Sequence, residues 1–181
     1  MHQVKSDDSL RYPIGRFTPK ETYTFDELQE LIGRIEALPA RLRKVTSALT
    51  PQELDTPYRE GGWTLRQVIH HLADSHSNAY IRLKWSLTEP TPTIKAYDEK
   101  LWAETPETRE DPEISLRMLE ALHTRWVKLL RALRPEDFEK GYIHPDTGKF
   151  VSLGRQVALY AWHGEHHIAH LRLVSPHVPA P

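Results

Sequence analysis

Cysteine is absent from this 181-residue sequence. Its absence excludes a disulfide scaffold, thiolate metal ligands and a cysteine nucleophile, and it is compatible with a reducing compartment. An excess of one charge is also lacking, because 24 Lys and Arg residues accompany 25 Asp and Glu residues, for a formal net charge of -1. Proteins that bind nucleic acid normally carry a basic face, so this balance argues against that class.

Long apolar runs are missing as well. No stretch approaches the ~20 residues that a membrane-spanning helix needs, and the charged segment Met1–Arg16 lacks the apolar centre of a secretory signal. We therefore expect a cytoplasmic protein that does not enter membranes. With 39% hydrophobic residues, the chain can build the core of one domain, which we predict to span residues 1–181.

Four segments carry apolar residues at helical spacing, and each begins with a residue that can cap a helix. In the first segment Pro39 interrupts the apolar stripe, so we expect a kink or a short break near Leu38. The segment Met1–Tyr23 has no helical period and is predicted to be an irregular arm. The predicted helices begin near Thr24, Thr64, Asp111 and Ser152 and end near Leu49, Leu87, Arg134 and Val174, the last before Pro176 and Pro179.

The connections between these segments indicate how the helices are arranged. A helix of about 24 residues is ~36 Å long, and ~11 extended residues cover that distance. The stretch Thr88–Asp111 can therefore return along the bundle, so that helices two and three run parallel with antiparallel pairs on either side. Short strands at Tyr142–His144 and Lys149–Val151 predict one small β-hairpin. The predicted fold class is all-α: a four-helix bundle with a long crossover connection.

Histidine is the abundant functional residue, with 11 copies, and imidazole is the commonest metal-ligating side chain. In the last predicted helix, His163 and His167 are four residues apart and share one face. Two such imidazoles can point at one ion but hold it weakly without a third ligand. The second helix offers that ligand at His70 or His71, of which His71 lies nearer the buried stripe.

A structural alternative exists, because a histidine-rich helix can also be a solvated surface. The neighbouring pair His166 and His170 has the same four-residue spacing, so spacing alone does not decide. Two features favour a metal site. The last helix must contribute to the core through Trp162 and Ile168, and a second helix carries a matching histidine, so ligands can converge in the bundle interior where such sites are built.

Other polar residues near these histidines are weaker candidates. Asp74, three residues after His71, could accept a hydrogen bond from that ring's free N–H, although an exposed Asp is the commoner outcome. Glu165 could act as a general base through a water molecule if it points inward. Three other histidines lack a partner at metal-ligand spacing and are predicted to be packing or surface residues; they are His76, His123 and His144.

With these residues identified, the chain resembles the DinB/YfiT-like superfamily, and specifically its YfiT branch of metal-dependent hydrolases. The similarity extends through nearly the whole chain and rests on several sequence segments rather than on an isolated histidine pair. These segments are Tyr12–Gly15, Leu54–Arg59, Gly61–Thr64, His70–His76, Tyr97–Lys100, His144–Thr147 and Trp162–His170.

The resemblance implies a bundle of up-down-down-up order, a homodimer and one divalent ion per subunit held by three histidines. Carried over to the matching positions, the ligands are His71, His163 and His167. Zinc is the first expectation and nickel the second, since three imidazoles suit several divalent ions. The YfiT branch is also linked to bacillithiol S-transfer, and other DinB-like proteins to mycothiol-dependent reactions.

Three neutral imidazoles would leave a divalent ion its full charge and at least one open position, as in catalytic sites. The sequence therefore favours an enzyme that acts on a small molecule. Its metal would activate either water, as in a hydrolase, or a low-molecular-weight thiol, as in a bacillithiol S-transferase. The alternatives are a non-catalytic bundle that binds metal for stability or sensing and a metal-free dimerisation module.

Overall fold

Helices form most of the computed structural model, which describes residues 7–175. In chain order they are α1 (Asp7–Arg11), α2 (Phe25–Thr46), α3 (Pro51–Leu54), α4 (Leu65–Thr88), α5 (Glu99–Trp102), α6 (Glu113–Arg131) and α7 (Leu153–Val174). Strands β1 (Gly141–His144) and β2 (Lys149–Ser152) pair antiparallel between α6 and α7. The four predicted helices and the hairpin are confirmed. The arm is not wholly irregular, because it contains α1, and Pro176 and Pro179 lie outside the described residues.

Side-chain caps determine where the long helices begin. The hydroxyls of Thr24 and Thr64 each accept a hydrogen bond from the backbone N–H three residues later, while Glu27 and Gln67 accept in return from the backbone N–H of the threonine. The hydroxyl of Ser152 caps α7 in a similar way. Because these contacts pair N–H groups that have no partner within the helix, local sequence is sufficient to start α2, α4 and α7.

Of the kink or short break predicted near Leu38, the break is wrong, because α2 continues through Pro39 to Thr46; the kink stays a prediction. Proline has no N–H, so the carbonyl of Ile35, one turn earlier, loses its usual helical donor. The ring of His123 in α6 takes the place of that donor, with Nδ1 2.7 Å from the Ile35 oxygen. A tertiary hydrogen bond thus satisfies the carbonyl that Pro39 leaves without a partner.

Contacts between the long helices establish their directions. His70 contacts Ser115 and His76 contacts His123. Residue numbers in α4 and α6 therefore rise in the same direction along the bundle, and these helices are parallel. Corresponding contacts make α2 parallel to α7, and make the pairs α2–α6 and α4–α7 antiparallel. The order is up-down-down-up, with residues 89–112 as the crossover. The connections predict that the consecutive helices α2 and α4, and likewise α6 and α7, pack as antiparallel pairs. The antiparallel pairs that pack together are instead α2–α6 and α4–α7.

The hairpin holds this crossover in place. The N–H of Ile143 donates to the Pro92 carbonyl at 2.9 Å, and the N–H of Ile94 donates back to the Ile143 carbonyl at 3.2 Å. Ile94 is buried as a result. Among residues 7–175, no helix combines the length and the apolar character needed to cross a lipid bilayer.

The apolar core is divided into two clusters. One contains Trp126 and Phe138 and involves the first half of α2 and α7. The other contains Leu42 and Leu72 and involves the second half of the same helices. Histidines on α4, α6 and α7 lie between the two clusters, a level we call the histidine layer: His76, His123, His163 and His167. All of them except the partly exposed His163 are buried. Buried polar groups require hydrogen-bonding partners, so this layer needs a structural explanation.

Candidate metal centre

Three histidine rings from two helices meet at the edge of the histidine layer. His71 on α4 and His163 and His167 on α7 each offer a ligand nitrogen, and these atoms lie within 4.8 Å of one another. Nε2 of His163 is 3.4 Å from Nε2 of His71 and 3.2 Å from Nε2 of His167. Two nitrogens that bind one zinc ion tetrahedrally at about 2.0–2.1 Å lie about 3.3–3.4 Å apart. The three rings therefore have the spacing and the chemistry to hold a divalent ion.

The neighbouring residue His70 is buried but turned away from these three rings. Its Nδ1 is 2.7 Å from the hydroxyl oxygen of Ser115, and its Nε2 is 3.1 Å from the backbone oxygen of Glu110. Both ring nitrogens thus contact groups on the α6 side of α4. Of the two adjacent histidines, His71 is the one that reaches the cluster.

Burial keeps the rings of the cluster neutral. Loss of solvent lowers the pKa of His71 to about 4 and places the pKa values of His163 and His167 well below the ordinary 6.5. Repulsion between neighbouring rings lowers the pKa of each of them further. Because a metal binds the neutral imidazole, these nitrogens can bind an ion at neutral pH without first losing a proton.

The cluster opens onto a cavity of about 530 Å³, a size that accommodates a small molecule. Trp63 forms part of the wall, with its ring centroid 4.6 Å from that of His71. Three further aromatic side chains and charges of both signs complete much of the lining: Tyr12, Tyr58, Trp162, Arg11, Arg59, Lys100, Glu99 and Glu104. A ligand in this cavity would contact both the ring nitrogens and these side chains.

A second pair of histidines on α7 borders the cluster. His170 has Nε2 3.2 Å from the backbone oxygen of Arg11 and Nδ1 3.3 Å from Nδ1 of His167. His166 stacks on Trp162, with ring centroids 4.4 Å apart and planes 17° apart. With His167 these rings form another group that could hold a metal ion. At His170, however, one nitrogen already faces a carbonyl and the other faces His167.

The two weaker candidates, Glu165 and Asp74, have different surroundings. Glu165 forms a two-point ion pair with Arg41 of α2, and one of its contacts measures 2.8 Å. Asp74 is half-buried, and desolvation, followed by repulsion from Glu107, raises its pKa to about 6. None of the hydrogen bonds found among residues 7–175 joins its carboxylate to His71. Their participation in catalysis stays a prediction.

Two buried histidines behind His163 cannot be predicted from ligand spacing. His76 has Nε2 3.2 Å from Nδ1 of His163, and its Nδ1 is 2.9 Å from Nε2 of His123. His76 is 0% exposed and His123 is 2% exposed, so they pack in the core and are not surface residues. Their burial could nevertheless be predicted from the sequence. His76 lies four residues after Leu72, and His123 four residues after Leu119, so both fall on the apolar stripe of their helix.

Comparison with known proteins places this arrangement in a family. A profile of the DinB superfamily matches residues 34–171, which include all three rings of the cluster. The chain belongs to the DinB superfamily. Over 168 residues it is 48% identical to "Putative metal-dependent hydrolase YfiT" of Bacillus subtilis (strain 168), covering 92% of this chain and 94% of that protein. A "Putative metal-dependent hydrolase" of Bacillus cereus (strain AH820) is 53% identical over 164 residues, covering 91% and 94%.

A solved structure of a DinB relative has the same fold. It superposes with a TM-score of 0.91 at 48% identity and covers 93% of this chain and 97% of that one. It is described as "YfiT from Bacillus subtilis is a probable metal-dependent hydrolase with an unusual four-helix bundle topology". The resemblance to the YfiT branch and the predicted four-helix bundle are therefore confirmed.

Proposed function

We propose that this DinB-family chain is a metal-dependent hydrolase of a small molecule, and that His71, His163 and His167 hold its divalent ion. The observation that carries the proposal is the convergence of the three rings at the wall of a cavity of about 530 Å³. Nε2 of His163 lies 3.4 Å from Nε2 of His71 and 3.2 Å from Nε2 of His167. The names of the relatives support the same activity. Zinc is the proposed ion and nickel its first alternative, because both suit imidazole ligands.

The residues of the chain contribute to this activity by binding and orientation. When bound, the ion would supply Lewis-acid activation of a water molecule or a thiol. The three rings present neutral nitrogens, so the site keeps its affinity for a cation at neutral pH. Trp63 and Trp162 cover part of the cavity with apolar surface. Arg11 and Arg59 lie on the same lining and can orient an anionic part of a substrate.

Elemental analysis of protein purified without an affinity tag tests the metal site. We expect about one zinc or nickel ion per wild-type chain and a large loss in His71→Ala, because two imidazoles alone hold an ion weakly. His70→Ala is the matched control, since it removes an adjacent buried ring that does not reach the cluster. Equal metal content in all three proteins would refute the assignment of His71. A folded wild type without metal would favour a dimerisation module instead.

Transfer of a low-molecular-weight thiol such as bacillithiol is a second function for the same site. The absence of cysteine is compatible with it, because the reacting sulfur would arrive with the cosubstrate. Incubating the metal-loaded protein with bacillithiol and monochlorobimane separates the two functions. If the wild type conjugates bacillithiol to monochlorobimane faster than His71→Ala does, the result supports thiol transfer. If its conjugation rate equals the background rate, hydrolysis is the remaining function of the two. A metal-loaded protein that carries out neither reaction would be a non-catalytic metal-binding bundle.

The proposal also includes a homodimer, which the family resemblance implies, and a cytoplasmic location. Size-exclusion chromatography with light scattering measures the first. A mass of twice the chain's 21.0 kDa is expected, and the mass of one chain would contradict it.

A further inference from the structure

We propose that His76 and His123 are positioning residues that hold His163 in the tautomer whose Nε2 can bind a metal ion. The inference rests on the proposed function, because it takes His163 as a ligand. The observation behind it is a line of three rings that runs from the cluster through the histidine layer to the backbone of α2. The successive contacts along this line measure 3.2, 2.9 and 2.7 Å.

The far end of this line fixes the position of one proton. The Ile35 carbonyl oxygen can only accept a hydrogen bond, so Nδ1 of His123, at 2.7 Å, must carry a hydrogen and donate it. That carbonyl is available because Pro39 has no N–H to occupy it. A proline inside α2 thus creates the acceptor from which the rest of the line is oriented.

Burial limits each ring of the line to one proton. His76 is 0% exposed and His123 is 2% exposed. None of the hydrogen bonds or ion pairs found within residues 7–175 brings a carboxylate to either ring. A second proton would therefore create a buried charge without a counter-ion, which is costly. Both rings are accordingly neutral, with one donor nitrogen and one acceptor nitrogen.

The donor and acceptor roles then follow in sequence. With its hydrogen on Nδ1, His123 accepts at Nε2, so Nδ1 of His76 must donate across the 2.9 Å contact. His76 in turn accepts at Nε2, so Nδ1 of His163 must donate across 3.2 Å. Nε2 of His163 is left with a lone pair, and this is the atom that lies closest to the other two rings of the cluster.

Metal-ligating histidines generally donate their other N–H to a second group that fixes the ring's tautomer and orientation. That group is usually a carboxylate or a backbone carbonyl. In this chain it is the neutral ring of His76, which is itself oriented by His123 and the Ile35 carbonyl. Both histidines thereby act on the metal site through His163 rather than by touching the ion.

A long-range ¹H–¹⁵N NMR spectrum of the metal-free wild-type protein near pH 7.5 measures the ring tautomers directly. We expect the hydrogen on Nδ1 in His123, His76 and His163. A spectrum that places the hydrogen of His163 on Nε2 would overturn the proposal. This measurement depends on neither metal binding nor activity, so it decides the tautomer even if the protein proves not to be a hydrolase.

Substitutions at His76 test the consequence for metal affinity. His76→Leu fills a similar volume but removes the acceptor, whereas His76→Gln retains an oxygen that can accept from His163. We expect His76→Leu to weaken Zn²⁺ binding by about 10–100-fold and His76→Gln to stay within a few-fold of wild type. His70→Leu is the control for loss of a buried histidine and should bind like wild type.

Competition with a chromophoric chelator measures these affinities, and circular dichroism with urea unfolding identifies the folded variants. Wild-type affinity in His76→Leu, or equal weakening in His76→Gln and His76→Leu, would overturn the positioning role. If His76→Leu does not fold, the NMR spectrum of the wild type decides the question. Failure of the wild type to bind Zn²⁺ would instead count against the proposed function and leave the tautomer result standing.

Discussion

The histidine layer predicts that the metal-free protein loses stability in mild acid. Burial lowers the pKa of His123 to about 4, against an ordinary 6.5, so the unfolded chain takes up a proton between these values that the folded chain does not. The contribution of such a lowered pKa is fully present above pH 6.5 and is lost as the pH falls toward 4. At pH 5 the loss from this one ring is about 2 kcal/mol.

The variant His123→Gln isolates this contribution, because glutamine keeps a hydrogen-bonding amide but does not ionise. Urea unfolding with EDTA present gives the free energy of unfolding of both proteins at pH 7.5 and pH 5.0. We expect the wild type to lose about 2 kcal/mol more than the variant between these pH values. Small domains have about 5–15 kcal/mol of stability in total, so the difference is well within measurement.

Protons bound by the other buried rings add to the acid sensitivity of both proteins and cancel in the comparison. Between pH 7.5 and 8.5 the difference between the two proteins should stay constant, because His123 does not titrate there in either state. Equal losses in both proteins between pH 7.5 and 5.0 would refute the reasoning. His123 would then bind protons equally well in the folded and unfolded chains, and the layer would not be shielded from water.

Two further predictions concern α7. A Cβ at Gly164 would lie 2.7 Å from Cδ2 of Leu38, so we expect Gly164→Ala to destabilise the fold by about 1 kcal/mol, the net of overpacking and a better helix propensity. Its control is Gly33→Ala, where a Cβ would meet nothing within 4 Å. This control should raise the free energy of unfolding by up to about 1 kcal/mol. Equal urea midpoints for the two variants would contradict the packing argument. Glu165→Gln should cost about 1–2 kcal/mol by weakening the contact with Arg41 while hydrolysis continues. Loss of activity in a folded Glu165→Gln protein would instead make this carboxylate the general base.

Local sequence was sufficient for the helices and for part of the cluster. Capping residues such as Thr24 and Thr64 act within one turn, so their effect is visible in a few letters of sequence. The four-residue spacing of His163 and His167 places both rings on one helix face by geometry alone. The stripe of α4 favoured His71 over His70 for the same reason, and the structure brings His71 to the other two rings.

Other features depend on residues that are distant in the chain. Pro39 ends a helix by local rules, yet α2 continues because His123, 88 residues beyond Ile35, supplies the missing donor. The position of Glu165 on α7 does not decide whether its side chain points inward or outward. The ion pair with Arg41, 124 residues away in the chain, decides it. In each case a tertiary contact determines the local structure, and a pattern of neighbouring residues carries no information about that contact.

The amino-acid sequence by itself determined the positions of the long helices and the family of this protein, and its spacing presented a histidine pair on α7. The helices and the histidine pair arise from periodicity and capping, which operate over one or two helical turns. The family is visible from sequence segments shared along nearly the whole chain. Only the tertiary structure decided that His76 and His123 stand behind His163, since the residues in contact along this line come from four different helices. Side-chain hydrogen bonds in a core depend on how the helices are packed together, and that packing brings together residues that the sequence keeps far apart.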